Sequence, residues 1–247
     1  MKSVFTVTFG DVAENHVGNQ QIGDLAVKGF SKDDLLCAKL KAEAEGIVTE
    51  LVDLSGDAYI LVLRHAVYHI LGDDSRDELI NEHAVLEADK KAVMYGRVVN
   101  KHARHNLCFV SREEDEQEPC YEEGKGRLVS FTRIPLTDQI RNKLEDWLGD
   151  TAHDLKGEAN YYYDIDKCGI GYHGDTERRK VIAMRVGYAM TLYFRWYKHH
   201  EPISERILIP LNDGDMYIMS EKAVGNDWKR SSIPTLRHAT GCDKFVK

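Results

Sequence analysis

Residues 169–179 read GIGYHGDTERR, and His173 and Asp175 stand two apart inside this glycine-rich turn. An imidazole and a carboxylate at that spacing can project toward a common point. With a distant second histidine they form a two-histidine, one-carboxylate face, which suits Fe(II) and leaves coordination positions open for a cosubstrate and oxygen. His238, in TLRHATG, lies in a strand candidate far along the chain. His199 and His200, in YKHHEP, read as an exposed hairpin loop. The expected metal ligands, and hence the catalytic centre, are therefore His173, Asp175 and His238. Taken alone, a His-x-Asp pair is equally well a hydrogen-bonded turn, so the surrounding elements must decide.

Those elements fall into two parts. VFTVTF (4–9) alternates and is β-branched, as a strand should be. Residues 31–46 read as a helix capped by Ser31, with Asp33 and Asp34 in its first turn and Gly46 after its last. IVTELVDL (47–54) and AYILVL (58–63) are strand candidates, and residues 75–94 open as another helix. Together they suggest a small N-terminal α/β unit over residues 1–92. Beyond it, LTDQIRNKLEDWLG (136–149) is a helix with Thr137 or Asp138 as cap and Ile140, Leu144, Trp147 and Leu148 as its buried stripe. The rest is nearly all strand: 181–186, 189–198, two runs flanking Asn212-Asp213-Gly214, and 234–240. The expected class is α+β, with an antiparallel sheet or barrel over residues 93–247.

Composition narrows the function. A net charge of −8 runs against a dedicated duplex-binding protein, so any nucleic-acid contact must use a local patch. The five cysteines are widely spaced and include no Cys-x-x-Cys, which excludes a disulfide framework and favours a reducing compartment, cytoplasmic or nuclear. No apolar run reaches membrane-span length, and the N-terminus lacks a signal-peptide pattern. His65 and His69 lack a third ligand, GKGRLV lacks the spacing of a phosphate loop, and no serine sits in a nucleophile elbow. The basic stretch NKHARHN offers Lys101, His102, Arg104 and His105 to a phosphate or a flipped base, or else to the acidic stretch 112–124.

The segment NYYYDIDKCGIGYHGDTERR resembles the iron-site segment of the AlkB family of Fe(II)/2-oxoglutarate dioxygenases, where an Asn-x-Tyr precedes an Ile-Gly-x-His-x-Asp-x-Glu signature. TLYFRWYK and LNDGDMYIMS resemble that family's following strand and its Gly-Asp hairpin. The resemblance spans about residues 93–247 and is specific around 160–179. It implies a double-stranded β-helix, or jelly roll, with Fe(II) and 2-oxoglutarate at the barrel mouth. Oxidative decarboxylation there gives succinate, CO2 and an oxidant for a C–H bond. It also implies that Tyr162, or Tyr163 by a one-residue slip, contacts 2-oxoglutarate, and that Glu177 belongs to the substrate side with Lys101, His102, Arg104 and His105.

Two departures stand out. SEKAVGNDWKRSSIP lengthens the stretch before His238, and Trp228, Lys229 and Arg230 within it could form a lid. The family's late strand carries arginines after the second histidine, one of which holds the far carboxylate of 2-oxoglutarate. Here no arginine follows His238, which leaves Lys247, Arg195 and Arg237 as candidates. If Arg237 marks the arginine-bearing strand, the third metal ligand is missing. The expected activity is oxidative demethylation or hydroxylation of a modified nucleobase in single-stranded or flipped-out nucleic acid. The competing expectations are a hydroxylase of a protein side chain or small molecule, and an inactive jelly-roll binding module.

Overall fold

The computed structural model describes residues 2–247. The chain opens with β1 (Val4–Gly10), a short hairpin of β2 (Val12–Glu14) and β3 (Gln21–Gly23), and α1 (Lys32–Ala44). β4 (Thr49–Asp53) and β5 (Tyr59–Leu63) lead to α2 (Ala66–Leu71) and α3 (Arg76–Ala84). A second hairpin, β6 (Lys91–Met94) and β7 (Arg97–Asn100), precedes β8 (His105–Val110), β9 (Leu128–Ser130) and α4 (Pro135–Leu148). The remainder is β10 (Lys156–Tyr162), β11 (Gly169–His173), β12 (Val181–Gly187), β13 (Leu192–Lys198), β14 (Glu201–Pro202), β15 (Ile207–Ile209), β16 (Met216–Met219), α5 (Glu221–Val224), β17 (Thr235–Gly241) and α6 (Asp243–Val246).

The class is α+β. A large sheet runs β4-β5-β16-β12-β1-β10-β8-β9, antiparallel except between β8 and β9. A smaller curled sheet runs β11-β17-β13-β14, with β15 also on β13. Strand alternation gives the large sheet two unlike faces. Phe5, Val7 and Phe9 of β1, with Met184 and Val186 of β12, pack into one core with Leu35 and Ala38 of α1 and Ile140, Leu144 and Trp147 of α4. The other face looks toward the small sheet. There Ala183, Tyr217 and Val62 meet Leu192, Phe194 and Leu236 in a second core, and Thr6, Thr8, Glu158 and Asn160 border a cavity.

Several sequence expectations need correction. The division at residue 92 does not mark a break in the fold. β1 is hydrogen-bonded between β10 and β12 in the middle of the large sheet, so the N-terminal residues build the same sheet as the site. The helix expected from 75 ends at Ala84, and Lys91–Met94 is a strand. Tyr95 and Gly96, at φ +53° and +73°, turn the chain back into β7. Neither Thr137 nor Asp138 caps α4. Pro135 begins it, and Glu82 of α3 accepts hydrogen bonds from the backbone N–H groups of Leu136 and Thr137 at 2.8 and 3.0 Å. Ser31 caps α1 as expected, in a capping box with Asp34.

His83 is buried where α3 meets the large sheet, between the Tyr161 hydroxyl and the Thr137 hydroxyl at 2.8 Å each. Burial pushes its pKa down to about 3. In the unfolded chain an imidazole titrates near ~6.5, so between those values the unfolded state holds the extra proton. The stability this neutral ring supports is complete above that pH and is lost as the pH falls toward 3. Denaturant unfolding measured on descending from neutral pH should show a decline of up to about 1.4 kcal/mol per pH unit from this group. His83→Gln should flatten that decline, and an unaltered slope in the variant would contradict the assignment.

Candidate metal centre

β11 and β17 pair antiparallel, with His173 directly opposite His238. Cross-strand neighbours on one face lie close, and the two imidazole rings are 4.4 Å apart between centroids. Asp175 comes from the loop after β11. Its Oδ1 is 3.4 Å from His173 Nε2 and 3.6 Å from His238 Nε2. One ligating atom from each of the three residues lies within 4.8 Å of the others. The three residues proposed from spacing are therefore together.

The donor atoms fit a cation. His173 Nδ1 lies 2.8 Å from the Gly171 carbonyl oxygen, which can only accept, so Nδ1 carries the proton. Nε2 faces an Asp175 carboxylate oxygen across 3.4 Å, the arrangement that a metal ion bound between the two atoms would use. Burial holds the His238 pKa well below the usual imidazole value, with His173 the next cause, so its ring is neutral, the form that ligates. His238 Nδ1 has no partner. Two imidazole nitrogens and one carboxylate oxygen suit a divalent transition metal such as Fe(II).

The stretch that looked like an insertion fixes the loop. The Asn226 side-chain amide donates to the carbonyls of Asp175, Thr176 and Arg178 at 3.2, 3.0 and 3.0 Å. Asp175 N–H donates to the Val224 carbonyl at 3.1 Å. Gly174 lies so close to this segment that a Cβ would sit 2.2 Å from the Gly225 carbonyl oxygen. Glycine between the two ligands is thus required by packing. Arg178, buried beside the loop, pairs with Glu158 and also contacts Glu177 at 3.1 Å and Asp175 Oδ2 at 3.7 Å.

The triad borders a cavity of about 340 Å³. Of the three consecutive tyrosines only Tyr162 lines it: Tyr161 bonds His83 in the opposite core, and Tyr163 stacks on His105. Arg104 and Glu177 line it too; Arg104 Nε donates to Asn160 at 2.5 Å. Burial, followed by Asp175, raises the Glu177 pKa. Lys101, His102 and His105 do not line the cavity. Lys101 donates to the Asn15 carbonyl and to Asn106, and His102 is exposed. The acidic stretch pairs instead with Arg112, Arg127 and Arg133. Trp228 and Lys229 border the cavity, as a lid would.

The candidates for holding a carboxylate fare differently. Arg195 and Arg237 alternate with the residues facing the cavity and stand on the outer face of the small sheet. The Lys247 side chain is 77% exposed. Arg185 of β12, missed in the sequence reading, is 1% exposed and lines the cavity. Its Nη1 donates to the Met190 carbonyl at 2.8 Å, its Nε has no partner, and no carboxylate pairs with it among the described residues. The signal was available: one arginine within the apolar strand VIAMRV.

No protein-family model matches the chain. An uncharacterized protein of Acanthamoeba polyphaga mimivirus is 52% identical over 258 residues, an alignment covering 100% of this chain and 99% of that protein. The chain belongs to the family of that mimivirus protein. The match runs end to end, so β1 and the Asn226 segment both fall within the aligned family length.

The Asn226 clamp yields a prediction. Asn226→Ala should weaken Co(II) or Fe(II) binding by about tenfold, because residues that orient ligands contribute on that scale. Anaerobic titration calorimetry measures it, with the thermal midpoint as a folding control.

Proposed function

We propose that the chain is an AlkB-like Fe(II)/2-oxoglutarate-dependent dioxygenase. The observation that carries this reading is a two-histidine, one-carboxylate set in the same cavity as a buried arginine without an acidic partner. His173, Asp175 and His238 would hold the iron, which supplies oxygen activation when bound. An unpaired guanidinium in a buried site is costly, and a carboxylate from the cosubstrate would relieve that cost. Tyr162 and Tyr217 flank it. Burial raises both phenol pKa values, that of Tyr217 to about 12, so both remain protonated donors.

The strand order supports a jelly roll with one strand exchanged. With β10, β11, β12, β13, β15, β16 and β17 as its first seven strands, the small sheet holds the second, seventh, fourth and fifth, and the large sheet the first, third and sixth. β1 fills the eighth place, between β10 and β12. This accounts for the absent late arginine: no strand follows β17, and the strand in that position presents Thr6. Thr6 is in direct register with Arg185 of β12, so the cation comes from the neighbouring strand.

The substrate we propose is an alkylated nucleobase. Asn106, Asn160, Arg104 and Glu177 surround the cavity with donors and acceptors of the kind that read a flipped base edge. Glu158, held by Arg178, accepts from Asn106 at 3.4 Å and from Asn160 at 3.1 Å and fixes their orientation.

Anaerobic addition of Fe(II) and 2-oxoglutarate should produce a weak visible charge-transfer band. His173→Ala should abolish it, and absence of the band in the wild type would contradict the reading. Arg185→Met should raise the 2-oxoglutarate concentration needed for half-saturation by about 100-fold or more, given the ~3 kcal/mol expected of a charged hydrogen bond. Metal affinity should stay unchanged in that variant.

A further inference from the structure

A second cavity, of about 670 Å³, is bordered by Asn226 and Arg179, which adjoin the loop that carries Asp175. Its volume is that of a small-molecule site. Its walls come from four separate parts of the chain: residues 28–32 at the start of α1, Asp57 between β4 and β5, Arg179 before β12, and the segment 220–230 around α5. Hydrogen bonds tie these walls together. Glu221 accepts from Gly29 N–H at 2.7 Å and from Arg179 Nη1 at 2.8 Å. Asp11 accepts from the backbone N–H groups of Ala26 and Lys180 at 2.7 and 2.9 Å. Gly29 packs so closely that a Cβ would lie 2.2 Å from the Arg179 carbonyl oxygen.

The charges around this cavity do not balance. Glu221 is taken by Arg179, and Asp227 Oδ2 accepts from Lys222 at 2.6 Å. Lys28, Lys32, Lys229 and Arg230 border the same space, and no carboxylate pairs with any of them among the described residues. Lys32 donates to the Tyr59 hydroxyl at 3.4 Å, which offers no charge. Asp57 is the remaining acid, exposed on its turn. Cations gathered at one cavity of a chain whose net charge is −8 make a local field that attracts anions. Two buried atoms of the walls also lack partners: Arg179 Nε, a donor, and Asp227 Oδ1, an acceptor. Leaving such atoms unpaired is costly, and each is relieved by a group of the opposite kind. An occupant that answers both features carries a compact negative charge and at least one hydroxyl.

We propose that this cavity binds a small phosphate monoester bearing hydroxyl groups, such as a sugar phosphate, and that its occupation tightens metal binding at the triad. A phosphate dianion presents three acceptor oxygens to several cations at once, where a carboxylate presents two. A hydroxyl of the same molecule donates to Asp227 Oδ1. The coupling runs through Asn226, whose amide holds the carbonyls of Asp175, Thr176 and Arg178. Asp227 follows Asn226 and Arg179 follows Arg178, so a ligand bonded to both spans that clamp. Occupation therefore restricts the loop, and the loop carries a metal ligand. The coupling rests on the metal reading; binding in the cavity does not.

The test is titration calorimetry of the full chain with glucose 6-phosphate, with glucose and inorganic phosphate as comparison probes. Glucose 6-phosphate should bind saturably and more tightly than inorganic phosphate, and glucose should not bind. Lys28→Ala with Arg230→Ala, both exposed, should weaken glucose 6-phosphate by about tenfold or more, the least expected from losing a charged hydrogen bond. Lys244→Ala with Lys247→Ala removes the same charge elsewhere and should leave the affinity unchanged. Saturating Co(II), added anaerobically, should tighten glucose 6-phosphate by about fivefold or more, and glucose 6-phosphate should tighten Co(II) by the same factor. His173→Ala should still bind the probe, without the Co(II) effect. No binding of glucose 6-phosphate, equal binding of glucose or of inorganic phosphate, or unchanged affinity in the Lys28 and Arg230 variant would each overturn the site. Co(II) affinity that glucose 6-phosphate leaves unchanged would overturn the coupling. Absence of Co(II) binding would overturn the metal reading and the coupling with it, and the probe titrations would still decide the site.

Discussion

The pairing of β11 with β17 is the constraint on which the site depends. It places His173 opposite His238, and a slip of one residue would turn one of the two rings to the other face of the sheet. The register is held on both sides. β13 pairs along the whole of β17, with Phe194 opposite His238 and Leu192 opposite Thr240, and Phe194 is buried in the core between the sheets. Hydrophobic packing thereby fixes the position of a polar pair.

Asp175 cannot come from the same ladder, since the carboxylate must approach both rings from beyond the strand end. A loop would give it freedom, and the segment around Asn226 removes that freedom with three hydrogen bonds to backbone carbonyls. Gly174 and Gly225 allow the two backbones to approach closely enough for those bonds to form. The extra length before β17 thus holds the loop that carries Asp175.

The large sheet divides two tasks between its faces. Its outer face, with α1 and α4, supplies the apolar burial that stabilises the fold. Its inner face carries Glu158, Asn160, Thr6 and Arg185, polar groups that are costly to bury. Most are satisfied within the protein: Arg178 pairs with Glu158, and Asn106 donates to Asn160 at 2.6 Å. Arg185 and Thr6 are not, and both have orphaned polar atoms facing the cavity. These two groups are the polar atoms of the inner face left for whatever fills the cavity.

The sequence by itself determined several local elements and singled out the three residues of the candidate centre. Alternation gave β1 and β13, an apolar run gave β12, the Ser31 cap gave α1, and residue chemistry with strand position gave His173, Asp175 and His238, because these signals lie within short windows or in residue type. It did not give the place of β1 between β10 and β12, the capping of α4 by Glu82, or the clamp by Asn226. Each joins residues more than forty positions apart and leaves no periodic trace. For the same reason it misplaced the basic residues. Arg195, Arg237 and Arg185 all stand on strands, and only tertiary packing decides which face of each strand looks inward. Two stand on the outer face of the small sheet, and the third is enclosed with the site.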